Sequence, residues 1–94
     1  MRESVKEFAD AMERVLKDND HKDGWKNLNA YHLLGRIDEE RDELFRAMDR
    51  FYRDENAIGN QKLAKKDLND MLDEAIDIAN FCMMLYDNYK ERGK

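Results

Sequence analysis

The chain has 94 residues, 22 acidic and 17 basic, for a formal charge of −5, with 41% hydrophobic residues and no proline. That length holds one compact domain, residues 1–94, and excludes a separate cofactor-binding domain; the acidic balance argues against a nucleic-acid polymer as partner, since phosphate binding relies on clustered Lys and Arg. The single cysteine, Cys82, excludes an intramolecular disulfide and a paired-thiolate zinc site.

In chain order, Val5, Phe8, Met12, Val15 and Leu16 follow the 3, 4, 3 spacing of a helical stripe and predict a first helix over 4–18, with Ser4 as N-cap and Glu7 as its box partner. Residues 19–29 are rich in Asn, Asp and Gly, which favour turns, and hold the only tryptophan, Trp25. A second helix follows from Asn29 as cap to about Asp54, with Leu33, Leu34, Ile37, Leu44, Met48 and Phe51 on one face and a kink or close helix contact expected at Gly35. The pattern breaks at 56–60. A third helix is expected from about Asp67, or from Lys62, to Glu91.

The fold class is therefore all-α: a helical bundle of two long helices plus a shorter N-terminal helix. A monomer this small buries only about 60% of its unfolded surface, so the bundle is expected to be completed by oligomerisation. Residues 1–7 carry no apolar core of a leader, and no run approaches a membrane span. The expected location is cytoplasmic, with no membrane partner.

Several carboxylates break the solvated-face pattern. Glu40 lies three residues after Ile37 and four before Leu44, so it continues the apolar row. Glu74 stands in the same relation to Met71 and Ile78, Asp77 precedes Phe81 by four, and Glu43 occupies the strip beside Glu40. Buried like charges need a counter-charge. Arg36 and Arg41 are the nearest basic candidates; a hard divalent ion, Mg²⁺ or Mn²⁺, suits an all-oxygen set better. A ferritin-like di-iron site needs Glu-x-x-His, and neither His21 nor His32 follows a Glu by three. The competing reading is a solvated acidic face with semi-buried ion pairs.

Glu39-Glu40-Arg41-Asp42-Glu43-Leu44 followed by Glu74-Ala75-Ile76-Asp77-Ile78-Ala79-Asn80-Phe81 resembles the Glu-Glu-x-x-Glu … Glu-x-x-Asp signature of the MazG-like nucleotide pyrophosphohydrolases. Residues 21–26 and 79–85 resemble short single-domain members, and the likeness runs from about Phe8 to Asp87. The interval between Glu43 and Glu74 is longer than usual in that group, which implies a longer second helix or connecting loop. The resemblance implies an all-α NTP pyrophosphatase, Mg²⁺-dependent with Mn²⁺ as alternative. Such an enzyme is a homodimer or homotetramer that cleaves a nucleoside triphosphate to the monophosphate and pyrophosphate. By position, Glu40, Glu43, Glu74 and Asp77 are the metal ligands it implies.

With that reading, an acidic protein and a triphosphate become compatible through the metal ion, which polarises the α-phosphate and acidifies an attacking water. Glu39 and Glu40 are the candidate catalytic acids, Glu39 turned about 100° from its neighbour and able to orient the water. Trp25 is a candidate base-stacking ring; Lys26 and Lys22 are candidate cations for the leaving pyrophosphate, and His21 is a candidate substrate contact. Asn80, one turn beyond Asp77, is a candidate hydrogen-bond partner for sugar or phosphate. Lys62, Lys65 and Lys66 are further cations for the leaving pyrophosphate. Cys82 is expected to be a small buried hydrophobe. The runner-up function is a non-catalytic homodimeric interaction or regulatory module that keeps the fold with an idle acidic seam.

Overall fold

A computed structural model describes residues 1–19 and 24–92. Three helices follow in order: α1 (Glu3–Asp18), α2 (Ala30–Glu55) and α3 (Gln61–Tyr89). Among the described residues there are no strands. Of the sequence expectations, His21 and Lys22 lie outside the described residues.

α1 begins one residue earlier than expected and is not capped by Ser4. Arg2 is the capping residue, in extended conformation and without a side-chain bond, and Lys6 N–H already donates to the Arg2 carbonyl. Ser4 therefore sits inside the first turn, where its hydroxyl is past the position from which an N-cap closes the helix. At the other end Asn19 caps through its backbone N–H and through Nδ2, which donates to the Val15 carbonyl.

α2 starts as its sequence predicts: Asn29 Oδ1 accepts from His32 N–H at 2.8 Å. Tyr89 Oη accepts from Ala30 N–H, so a second free donor at this helix start is satisfied by the end of α3. α3 begins at Gln61, six residues before Asp67 and one before the alternative start at Lys62. Only residues 56–60 separate the two long helices, and Gly59 turns the chain with φ +86°.

The long interval between Glu43 and Glu74 is almost all helix: residues 44–55 run out along α2 and 61–73 return along α3. Twelve out and thirteen back bring Glu74 beside Glu40. α2 and α3 thus form an antiparallel hairpin, and α1 packs on α3 but not on α2.

The seam of this hairpin has a seven-residue rhythm. Leu33, Glu40, Ala47 and Asp54 are the buried positions of α2; Asp67 and Glu74, seven apart on α3, meet them. Leu34, expected on the same face as Leu33, is exposed instead, because it is turned about 100° away from it. Of the seven buried residues among those described, four are polar: Glu40, Asp54, Asp67 and Asn80. The apolar core is correspondingly thin, with Leu33, Ala47 and Ala64 its buried members. Gly35 makes no close contact with a neighbouring helix; it faces open space. Cys82 is exposed rather than buried. No helix among the described residues is long and apolar enough to cross a membrane.

Candidate functional site

Glu40 on α2 and Glu74 and Asp77 on α3 converge across the seam, each offering one carboxylate oxygen, and these oxygens lie within 4.8 Å of one another. Glu74 and Asp77 sit one turn apart, so one helix face supplies both while α2 supplies the third. Glu40 is buried and the other two are half-buried. The arrangement is electrostatically strained. Burial, a hydrogen bond with Glu40 and the charges of Glu40, Glu43 and Asp77 raise the Glu74 carboxyl from 4.5 to about 8. Asp77 is also raised, first by burial and then by Glu40, Asp73 and Glu43, with Arg36 opposing. One Glu74 oxygen, Oε2, is buried with no hydrogen-bond partner.

Three facing carboxylates with an unpartnered buried oxygen fit a hard divalent cation, which would replace the proton held by Glu74 and satisfy that oxygen. Glu43 is not one of the converging three. It lies exposed at the rim, close enough for its charge to act on Glu74 and Asp77. Glu39 is exposed and is not one of the converging three; its Oε2 accepts at 2.6 Å from Arg36 Nη1, the same guanidinium that reaches Glu40.

Beside the cluster is a cavity of about 460 Å³, walled by α1 through Val15 and Leu16, by Trp25 and Leu28 of the loop, and by Arg36, Glu40, Asp77, Asn80, Phe81 and Met84. Its wall is mostly apolar, with Arg36, Glu40 and Asp77 as the charged members. Trp25 is held as part of that wall: its Nε1 donates to Asp87 Oδ2 at 3.0 Å. Asn88 Nδ2 donates to the Trp25 and Leu28 carbonyls, which pins the loop to the end of α3.

Lys26 is committed to Asp87 as an ion pair, so its ammonium is directed to α3 and not to the carboxylate cluster. Lys66 pairs with Asp70, and Lys62 and Lys65 are exposed on the first turns of α3, about 13–18 Å of helix from Glu74. The cation that does reach the cluster is Arg36, with Nη2 3.3 Å from Glu40 Oε1 and its guanidinium 5.2 Å above the Phe81 ring. His32 is exposed.

Asn80 lines the cavity and ties α1 to α3, Nδ2 donating to the Met12 carbonyl at 3.3 Å while its buried Oδ1 has no partner. Sequence reasoning missed Asp87 and Asn88. Their signal was present in the dipeptide itself: two short polar side chains at the foot of an otherwise apolar stripe, one helix length from a polar loop.

No family model matches the chain, and no solved structure matches it. A protein of Archaeoglobus fulgidus described as uncharacterized is 32% identical over 78 residues, covering 83% of this chain and 68% of the archaeal protein. At that identity and coverage, the chain belongs to the same family as this archaeal protein.

Proposed function

We propose that the chain is a single MazG-like domain, a nucleoside triphosphate pyrophosphohydrolase dependent on Mg²⁺, with Mn²⁺ as a substitute, that releases the monophosphate and pyrophosphate. The observation that carries this reading is the convergence of Glu40, Glu74 and Asp77 beside a half-apolar cavity. When bound, Mg²⁺ supplies the positive charge that neutralises both the carboxylates and the triphosphate tail and polarises the α-phosphate.

The chain's own residues divide the remaining work. Glu40, Glu74 and Asp77 hold the ion, and Glu43 adds negative charge at the rim. Arg36, the one cation seated at the cluster among the described residues, faces the phosphates from the α2 side. Trp25 and Phe81 present rings to the base from two walls of the cavity, and Asn80 offers its amide near the sugar. Glu39 sits one position outside the ligands, where release of its pair with Arg36 frees it to take a proton from water.

The functional unit in this reading is at least a dimer. The chain exposes 7438 Å², whereas a folded monomer of 11.3 kDa exposes about 5,700 Å². Its radius of gyration of 15.8 Å exceeds the roughly 12.4 Å of a compact domain of this length. The excess of roughly 1,700 Å² is more than the ~800 Å² a partner in a standard interface covers. Exposed apolar side chains lie behind the site. Leu34, Phe45 and Tyr52, all exposed, are turned about 120–140° around α2 from Glu40, in the opposite sense to Glu43. Leu72 and Tyr86, also exposed, are turned about 120–160° around α3 from Glu74, in the opposite sense to Asp77. A second copy of the chain covers this face.

The test is incubation with Mg²⁺ and a panel of canonical and modified triphosphates, scoring pyrophosphate against orthophosphate. Pyrophosphate release that falls at least about 100-fold in Glu74→Gln and Asp77→Asn supports the assignment. No hydrolysis of any nucleotide at micromolar enzyme favours the non-catalytic interaction module, and orthophosphate release replaces this chemistry with another. Sedimentation of the wild type and Phe45→Glu reads the assembly: a wild-type monomer at tens of micromolar removes the dimer.

A further inference from the structure

The seam carries a second carboxyl pair, remote from the first. Asp54 at the end of α2 and Asp67 in α3 are both buried, and their carboxyl groups are in hydrogen-bonding contact. Asp54 is fourteen residues, about 21 Å of helix, from Glu40. Two carboxylates cannot hydrogen-bond to each other without a proton between them, since each is acceptor-only when ionised. Asp67 Oδ2 has no donor from any other group and is sealed from solvent.

The remaining partners contact Oδ1 of each carboxyl. Arg53 Nε and Asn60 Nδ2 each lie 3.4 Å from Asp54 Oδ1, and Arg50 Nε lies 3.5 Å from Asp67 Oδ1. Arg50 is shared with Asp70, which also takes Lys66. The charged groups facing the pair are thus Arg50 and Arg53 from α2 and Asp70 and Lys66 from α3, with Asn60 closing the turn.

We propose that Asp54 and Asp67 share one proton and form a pH-sensitive clasp on the turn end of the α2–α3 hairpin, which loosens when that proton is lost. The hydrogen bond to Asp54, then burial and the Asp54 charge, hold the Asp67 carboxyl above the ordinary aspartate range; Asp54, which accepts that bond, is held below it. The folded chain therefore binds the Asp67 proton more tightly than the unfolded chain does. Stability from the Asp67 proton is full below about pH 4 and declines as pH rises through the folded value of Asp67, whereas the part owed to ionised Asp54 is lost on acidification below about pH 4, so the singly protonated pair is held best between the two. The location gives the device its reach: residues 56–60 are the whole connection between the long helices, so the clasp sets how firmly the two are held in register.

The test is thermal unfolding from pH 5 to 8 in a Glu74→Gln, Asp77→Asn background, which removes the other two raised carboxyls of the seam. Asp67→Asn keeps a hydrogen-bond donor toward Asp54 that no longer titrates. The expected result is a melting temperature that falls with pH in the parent and is flat, and at pH 8 higher, in Asp67→Asn. A parallel slope in both proteins, or a lower melting temperature of Asp67→Asn across the range, overturns the clasp. Carboxyl ¹³C titration of the parent decides the matter even should the variant fail to fold: one of the two carboxyls titrating above the ordinary range supports the shared proton, and both titrating near 4 refutes it.

Discussion

Glu40 and Glu74 face each other across the hairpin seam with their carboxyl groups hydrogen-bonded, one from each long helix. That contact requires a proton, and Glu74 holds it up to about pH 8. Because its folded carboxyl is raised from 4.5, the stabilisation is full below that value and is lost as pH rises toward 8. The loss is on the order of 1–2 kcal/mol once solvent screening at this half-buried position is allowed for. Thermal unfolding without divalent ions should show a decline over pH 5–8, and Glu74→Gln should flatten the part that belongs to this site.

A divalent ion held at the cluster should oppose that dependence. A cation competes with the Glu74 proton, so Mg²⁺ should raise the melting temperature more at pH 8 than at pH 6. In Glu74→Gln or Asp77→Asn the increment should shrink or vanish, while Asp70→Asn, off the cluster, leaves it unchanged. A Mg²⁺ increment independent of pH, or retained in both amide variants, would show that the ion binds elsewhere.

The elements that were legible in the sequence are those with strong local signals. Asn29 as cap and the inward placement of Glu40, Glu74 and Asp77 follow from spacing alone, because an acid at the i+3 or i+4 step of an apolar row has nowhere else to point. Asp54 and Asp67 escaped the same reasoning. They sit near helix ends, where a polar residue reads as a cap, and their burial depends on the antiparallel register of two segments separated by a turn. Lys26 illustrates a different gap. Its proximity to Trp25 in sequence suggested a phosphate contact, yet the loop's docking onto Asp87 and Asn88 turns it to α3, a long-range fact no local window contains.

Asp87 fixes the Trp25 ring and so shapes the cavity. The carboxyl accepts from Lys26, Lys90 and Trp25, which hold it far below the ordinary range. Its contribution is present above about pH 4, the unfolded value, and is lost on acidification below it. Asp87→Asn should red-shift the emission of the single tryptophan at neutral pH and raise the KM for triphosphate more than it lowers kcat. An unchanged spectrum would mean that Asn88 alone holds the loop.

The two glycines of the hairpin predict opposite responses to alanine. Gly35 lies in the body of α2 with open space where a Cβ would stand, so Gly35→Ala should stabilise by about 0.5–1 kcal/mol. Gly59 has the same free space but φ +86°, so Gly59→Ala should destabilise by roughly 1 kcal/mol through backbone strain. Urea unfolding of both variants at pH 6 measures the contrast, and equal signs would contradict the turn conformation.

Arg36 stands between the cluster and the cavity, and its removal should separate ion binding from nucleotide binding. Its guanidinium is 3.3 Å from Glu40 and counteracts the raised Asp77 carboxyl, so it competes with an incoming cation for the same oxygens. At this half-exposed position the pair is worth on the order of 1 kcal/mol. Arg36→Met should therefore tighten Mg²⁺ binding several-fold, read by calorimetry without nucleotide. In the proposed enzyme the same variant gives up a donor fork for the phosphates, so the KM for triphosphate should rise about tenfold, a loss of about 1.4 kcal/mol. Arg36→Lys keeps the charge but not the fork and should recover only part of that loss. If Mg²⁺ binding and KM weaken together, Arg36 is instead holding Glu40 in place, and its function is to position a ligand.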